Sequence, residues 1–282
     1  MEGAKASKTK SKISWLVAWI LGLFWTVVAI LPFVFMLTNS FKERFEMLSK
    51  GIFALPENWN FDNYRLVLEG DFIRYFFNSV IVLVISLGLL LFISACAAYP
   101  LSRFKFKLSG PIYALIVACM SIPIHITLIP VFKLSQQMGI YDTIWALIGP
   151  YVATAIPISV FILTSFMRGI PSEIEEAAQI DGCSKYQMFF KVILPLAKPG
   201  LATLAIYNGV NMWNEFSFAY TLTQTARNRT LPLAVWEFQG QYSMNTPLVM
   251  AVLTLTVLPM IILFIFAQDK LVKGMTAGAV KG

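Results

Sequence analysis

A single histidine and three cysteines are all the imidazole and thiol groups that this chain has. Cys96, Cys119 and Cys183 lie far apart with no ligand spacing, so they read as small apolar fillers. His125 stands between Pro123 and Pro130 without neighbouring ligands and reads as a packed or pore-lining imidazole. There is no Ser/His/Asp set and no pair of catalytic carboxylates, so no enzymatic activity is expected. The phosphate-cradling pattern GxxxxGK[ST] is absent, which excludes ATP binding through such a loop. No basic cluster is interleaved with exposed aromatics, so the net charge of +7 is not a nucleic-acid footprint. Charge itself is scarce, at 13% of 282 residues.

What fills the chain instead is apolar sequence, 57% of it. Ile13–Phe41, Tyr75–Ser102, Leu108–Phe132 and Thr143–Met167 contain no acid or base. Pro199–Ala226, interrupted only by Glu215, and Pro247–Gln268 complete the set. Each reaches the roughly 20 residues that a helix needs to cross about 30 Å of hydrocarbon. Burying all of them in a soluble protein would take one enormous core. The fold class expected is therefore an all-α integral membrane protein with six transmembrane helices.

With six spans, fourteen of the 22 lysines and arginines share a side with both termini. That side is expected to be cytoplasmic, because short cytoplasmic loops collect basic residues. The first apolar run is too long for a cleaved secretory signal and reads as an uncleaved span. The organisation expected is a cytoplasmic tail at 1–12, a first span at 13–41, an extracytoplasmic loop at 42–74, a five-span core at 75–270 and a cytoplasmic tail at 271–282. The loop, with Trp59, Phe61 and Tyr64, is too long for a tight turn. It should form a small external feature or lie along the membrane surface. Pro32, Pro123, Pro130, Pro157 and Pro259 each remove a backbone donor and are expected to bend their spans unless neighbours compensate.

Between the fourth and fifth spans lies a polar island, Pro171–Gly200. Ser172 followed by Glu175 reads as a capping box, opening a short helix that ends at Gly182, where a left-handed residue fits. Ser184 and Gln187 repeat the pattern and open a second helix carrying Phe189, Phe190, Val192, Ile193 and Leu194 up to Pro195. The first helix presents Glu176, Ala177 and Ala178, an acid with two methyl groups, which lets a partner's surface approach closely. An ordinary loop with incidental helices is the plainer alternative.

Glu176-Ala177-Ala178, three residues, Gly182, nine residues, Val192, one residue, Leu194-Pro195 resembles the EAA signature of permease subunits of bacterial ATP-binding-cassette importers of type I. Val192 replaces the usual isoleucine. Leu101-Ser102-Arg103, the Asp181-Gly182 pair, Trp213-Asn214-Glu215-Phe216 and the tail Val272–Gly282 are similar to the second permease of maltose-type systems. The resemblance implies a MetI-like bundle in the bacterial inner membrane. Its cytoplasmic coupling helices, at 171–195, would seat in a separate ATPase and be swung by ATP-driven closure. Glu175, Glu176 and Asp181 would pair with basic groups of that ATPase, with Ala177, Ala178, Gly182, Leu194 and Pro195 completing the joint. The implied partners are a second homologous permease, two cytoplasmic ATPase subunits and an extracytoplasmic sugar-binding protein. ATP and Mg would sit on the ATPases, and no cofactor on this chain.

Two further regions are candidates. Asn208, Asn211 and Glu215, spaced to share one face of span five, with Trp213 and Asn214 beside them, could line a path for sugar hydroxyls. They could equally hold the bundle together by interhelical hydrogen bonds. In the loop Arg227–Thr246, Arg227, Arg229, Trp236, Gln239 and Tyr242 could meet the binding protein or lie on the lipid interface. A related importer for a solute such as glycerol phosphate is the alternative within the family. A secondary transporter would be expected to show an internal repeat, and none is found. A scaffold without transport would leave the island's capping pattern unexplained.

Overall fold

The computed structural model describes residues 2–241 and 245–279. Tyr242 and the last three residues of the tail, Val280–Gly282, lie outside them, as does the side chain of Gln239. The chain divides into two compact units.

The first comprises Met1–Glu69 with Glu237–Val257. Helix α1 (Glu2–Ser40) contains the apolar span Trp15–Ser40, none of whose most apolar window is buried. A helix apolar on all sides and exposed on all sides belongs in lipid. Two short helices, α2 (Arg44–Lys50) and α3 (Asp62–Glu69), follow it. The residues from Asn39 to Asn63 fold back on one another. The Lys42 ammonium, 1% exposed, donates to Asn39 Oδ1 at 2.8 Å and to the Gly51 carbonyl at 3.2 Å. Asn63 Nδ2 donates to the carbonyls of Ser40 and Lys42, and Phe41 packs on Trp59, Phe61 and Tyr64.

The second unit comprises Gly70–Trp236 with Leu258–Gly282. Its spine is α4 (Phe72–Arg103) lying parallel to α7 (Trp145–Arg168). The stripe Asn78, Val82, Ser86, Leu90, Ser94, Ala98 recurs every four residues along α4 and is buried. Its small members let two backbones approach, which drives helix association in lipid. One apolar cluster joins the N-terminal halves, with Val82, Leu90, Leu147 and Tyr151. A second joins the C-terminal halves, with Ala98, Tyr99, Leu163 and Met167.

Six spans are present only if two of them are bent pairs. Among the described residues, four helices are long and apolar enough to cross by themselves, the last being Thr246–Phe266 within α14 (Thr246–Ala279). The third span breaks by 92° between α5 (Ser109–Ala118), which runs on to Ser121 as a 3-10 turn, and α6 (Leu128–Gln137), which follows a second such turn. Ile122, before Pro123, takes the extended backbone that a following proline imposes. Pro32, Pro157 and Pro259 instead sit inside unbroken helices, and Pro130 lies in the first turn of α6. Of these five prolines, Pro123 alone stands at a break; the second bend, at Ala197, lies between Pro195 and Pro199.

After α7 comes α8 (Ser172–Ile180), then α9 (Lys185–Gln187), a π-helical stretch Met188–Ile193 and α10 (Leu194–Leu196). A 67° bend leads into α11 (Lys198–Trp213). Helix α11 stops at Trp213, and α12 (Ser217–Leu222) begins anew. Helix α13 (Leu231–Gln241) precedes α14.

Candidate functional site

At the ends of α4 and α7, helix α8 and the segment behind it form an elbow. Gly182 has φ +80°, its amide donates to the Gln179 carbonyl, and the Cys183 amide donates to the Ala178 carbonyl. This pair of bonds satisfies the last carbonyls of α8 and requires the left-handed residue that glycine supplies. The second capping box is present: Ser184 Oγ accepts from the Gln187 amide at 3.3 Å, and Gln187 Oε1 accepts from the Ser184 amide at 2.9 Å. The first is not. Pro171 occupies the N-cap, Ser172 is already helical, and no side chain caps the helix. Glu175, expected to turn back to Ser172 and to face a partner, instead pairs with Arg103, Nε to Oε1 at 2.6 Å. Neither atom has an aligned hydrogen bond, so the contact is ionic, with side chains only 11% and 13% exposed.

Glu173, Glu176 and Asp181 are exposed, as is Ala177, while Ala178 is half-buried. Two large apolar side chains stand out beside them, Ile180 at 86% and Tyr186 at 81% exposure. Sequence patterning missed both, because each falls at a helix end where periodicity says little. Behind the exposed face, Met188, Phe189 and Ile193 are buried, and Phe189 lies 5.1 Å from Tyr99. Leu194 is half-buried and Pro195 exposed.

Further along the bundle, a cavity of about 630 Å³ opens between the two 3-10 turns that join α5 to α6, Val131 of α6, and helices α7 and α11. Asn208, Asn211 and Glu215 all line it, joined by Tyr151, Thr154 and Tyr207, which the sequence did not single out. Glu215 is not on the helical face with the two asparagines, because α11 has already ended. Its carboxylate accepts from the amides of Phe218 at 2.8 Å and Ala219 at 3.2 Å, satisfying free N–H groups at the start of α12. Asn208 is buried and donates to Ser159 Oγ at 3.1 Å, across to α7, whereas Asn211 is exposed and donates only to Tyr207 one turn back. Trp213 and Asn214 do not line the cavity: Trp213 is buried edge-on against Phe76, and Asn214 is exposed. His125 does not line it either.

At the opposite end from the elbow, the segment 223–231 is sewn to two other elements. Asp142, at φ +56°, accepts through Oδ1 from the amides of Gln224 and Thr225 and from the Thr225 hydroxyl, while its own carbonyl accepts from Asn228 Nδ2. Burial pushes the Asp142 carboxyl up, but these donors outweigh it and hold the group below the usual carboxylate range. Asn78 Nδ2 donates to the carbonyls of Arg227 and Arg229, and Ser79 Oγ accepts from the Leu231 amide. Arg227 is thereby presented exposed and Arg229 half-buried, with Trp236 at 47% exposure and edge-on to Tyr220.

Among the described residues, four continuous spans and two bent pairs define a multi-pass helical membrane protein. The chain belongs to the family described as "Binding-protein-dependent transport system inner membrane component", whose model matches residues 90–277. It is thus the membrane-spanning permease component of such a transporter. It is 53% identical over 258 residues to the "Putative ABC transporter permease protein ORF2" of Caldicellulosiruptor sp. (strain Rt8B.4), covering 92% of this chain and 94% of that one. It is 34% identical to the "Melibiose/raffinose/stachyose import permease protein MelC" of Bacillus subtilis (strain 168), over 99% and 100% of the two chains. Among solved structures it resembles a chain of a bacterial ABC transporter involved in the import of the acidic polysaccharide alginate, with a TM-score of 0.78 at 23% identity, over 92% and 96% of the chains. That likeness concerns the fold.

Proposed function

We propose that this permease is one half of a heteromeric channel that moves a sugar or oligosaccharide into the cytoplasm. Two copies of a cytoplasmic ATPase drive it and an extracytoplasmic binding protein feeds it. The chain itself is non-catalytic and holds no cofactor, ATP and Mg being bound by the ATPases. Both termini and the elbow are cytoplasmic.

The observation that carries this reading is the elbow. Its helix is capped at Gly182, its inner face is held by Arg103 and the apolar cluster, and its outer face offers Glu176, Ala177, Ile180, Asp181 and Tyr186. Exposed apolar side chains outside the spans, beside acids, suit a desolvated protein joint. The cargo class is supported by a relative named for melibiose, raffinose and stachyose import and by the cavity's chemistry. Amides, tyrosine rings and hydroxyls suit neutral sugars, and Glu215 is the one charged residue lining it among those described. A lone carboxylate disfavours a phosphorylated solute, so glycerol phosphate is the poorer candidate. The Asp142-braced segment with Arg227, Arg229 and Trp236 is the surface on which the binding protein would dock.

Co-purification tests the reading most directly: the native chain should bring down an ATPase subunit and a second permease. Glu176→Lys and Gly182→Asp should each abolish uptake while leaving membrane insertion intact. Gly182→Asp puts a further carboxylate on the exposed corner, where a Cβ meets nothing within 4 Å, so it acts on the partner-facing surface rather than on packing. Normal uptake by both variants refutes the assignment.

A further inference from the structure

We infer that Arg103 is a positioning residue that locks the elbow helix to two spans at once, so that a push on α8 reaches α4 and α7 together. This rests on the coupling role proposed for α8. The covalent link from α7 to α8 is short, Gly169-Ile170-Pro171, and one short link by itself leaves a helix free to pivot. Arg103 removes that freedom in two places. Its Nη2 donates to the Ile170 carbonyl at 2.8 Å, inside the link, and its Nε pairs with Glu175, one turn into α8. Because Arg103 is the last residue of α4, both contacts tie the elbow to a different span from the one that precedes it in the chain.

A reciprocal strap closes the arrangement. Arg168, the last residue of α7, donates from Nη2 to the Leu101 carbonyl of α4 at 3.3 Å, and its guanidinium lies 5.2 Å from the Tyr113 ring. Arg168 thus crosses to a carbonyl in the last turn of α4, where unsatisfied acceptors and the helix dipole favour a cation, and Arg103 to a carbonyl just beyond the end of α7. The Tyr99–Phe189 contact packs the same α4 end against the π-helical stretch beyond the elbow. A displacement of α8 therefore has no slack to consume before it moves the paired spans. With Arg103 or Glu175 neutralised, α8 keeps its partner-facing surface but regains its pivot, so hydrolysis proceeds without a matching movement of the spans.

The test uses the complete reconstituted transporter and reads uptake per ATP hydrolysed. Arg103→Gln and Glu175→Gln should each co-purify with the ATPase and hydrolyse ATP within about twofold of native, while uptake per ATP falls by about tenfold or more, as misplacement of a mechanical joint allows. The exchanged pair Arg103→Glu with Glu175→Arg should recover at least about threefold over the worse single variant, the coupling that a double-mutant cycle isolates. Glu173→Gln, an acid on the same helix, should behave as native. Uptake per ATP within about twofold of native in either neutralised variant, or an exchange no better than the singles, overturns the inference. If a single variant fails to assemble, the exchange decides through co-purification: restored assembly supports the pair, and continued failure overturns it. Glu176→Lys separates the two ideas. Should it transport normally, the coupling role of α8 itself fails; should it abolish uptake while Arg103→Gln does not, the lock fails alone.

Discussion

Asp142 shows how much one side chain can organise. It adopts a left-handed backbone unusual for a residue with a Cβ, and asparagine and aspartate tolerate this best because they bond locally. Its carboxyl is held below the ordinary value, so the anion stabilises the folded segment above that value and the contribution disappears as pH falls through the depressed one. Amides of residues 224–229 should therefore exchange slowly, relative to intrinsic rates, at pH 7, and lose protection as pH falls below about 4, where an ordinary aspartate protonates. Asp142→Asn keeps the backbone preference but loses the charge. It should expose the Arg227 and Arg229 bonds to trypsin at neutral pH, and equal cleavage rates in the variant and the native protein would contradict the bracing role. The same scale separates the two asparagines of α11. Asn208→Ala strands Ser159 and should lower the thermal midpoint of the purified complex by an amount corresponding to about 1 kcal/mol. Asn211→Ala has no such partner to strand and should leave the midpoint unchanged while raising the sugar concentration for half-maximal uptake.

Elements reveal where sequence reading succeeds. Charge-free runs locate the spans because lipid tolerates little else over that length. The breaks were harder. Of five prolines expected to bend spans, only Pro123 sits at a discontinuity; Pro32, Pro157 and Pro259 lie inside continuous helices and Pro130 in a first turn, where the missing donor is no loss. The interruption at Asn214–Phe216 carries no glycine or proline at all; it is sustained by Glu215 capping the next helix, a tertiary choice invisible in periodicity. Ser184 and Gln187 formed the expected box because nothing competes for them, whereas Glu175 was drawn away by an arginine distant in sequence. Element packing also makes a prediction. A Cβ on Gly200 would come within 3.0 Å of the Phe166 ring, where α11 meets α7. Gly200→Ala should destabilise the bundle by about 1–3 kcal/mol, and adding Phe166→Leu should restore most of it. A loss of midpoint that the second substitution fails to repair would place the strain elsewhere.

At the scale of the whole molecule, the family signature was legible because its spacing encodes a solid object: an acid with two methyls, a corner glycine and an apolar return. Sugar chemistry was less so, since the residues that line the cavity come from several separate elements and two of them, Tyr151 and Thr154, lie in a run noticed for its lack of charge and its proline. The π-helical stretch behind the elbow has a consequence of its own. Such a winding holds one residue more than an α-helix delivering the same rotation between its ends. Cutting a single residue between Met188 and Ile193 would tighten the coil to ordinary pitch while both flanks kept their compass bearing. Chains that differ here by one letter would thus present the same surfaces, and a gap in their alignment would mark a change of winding rather than a lost contact.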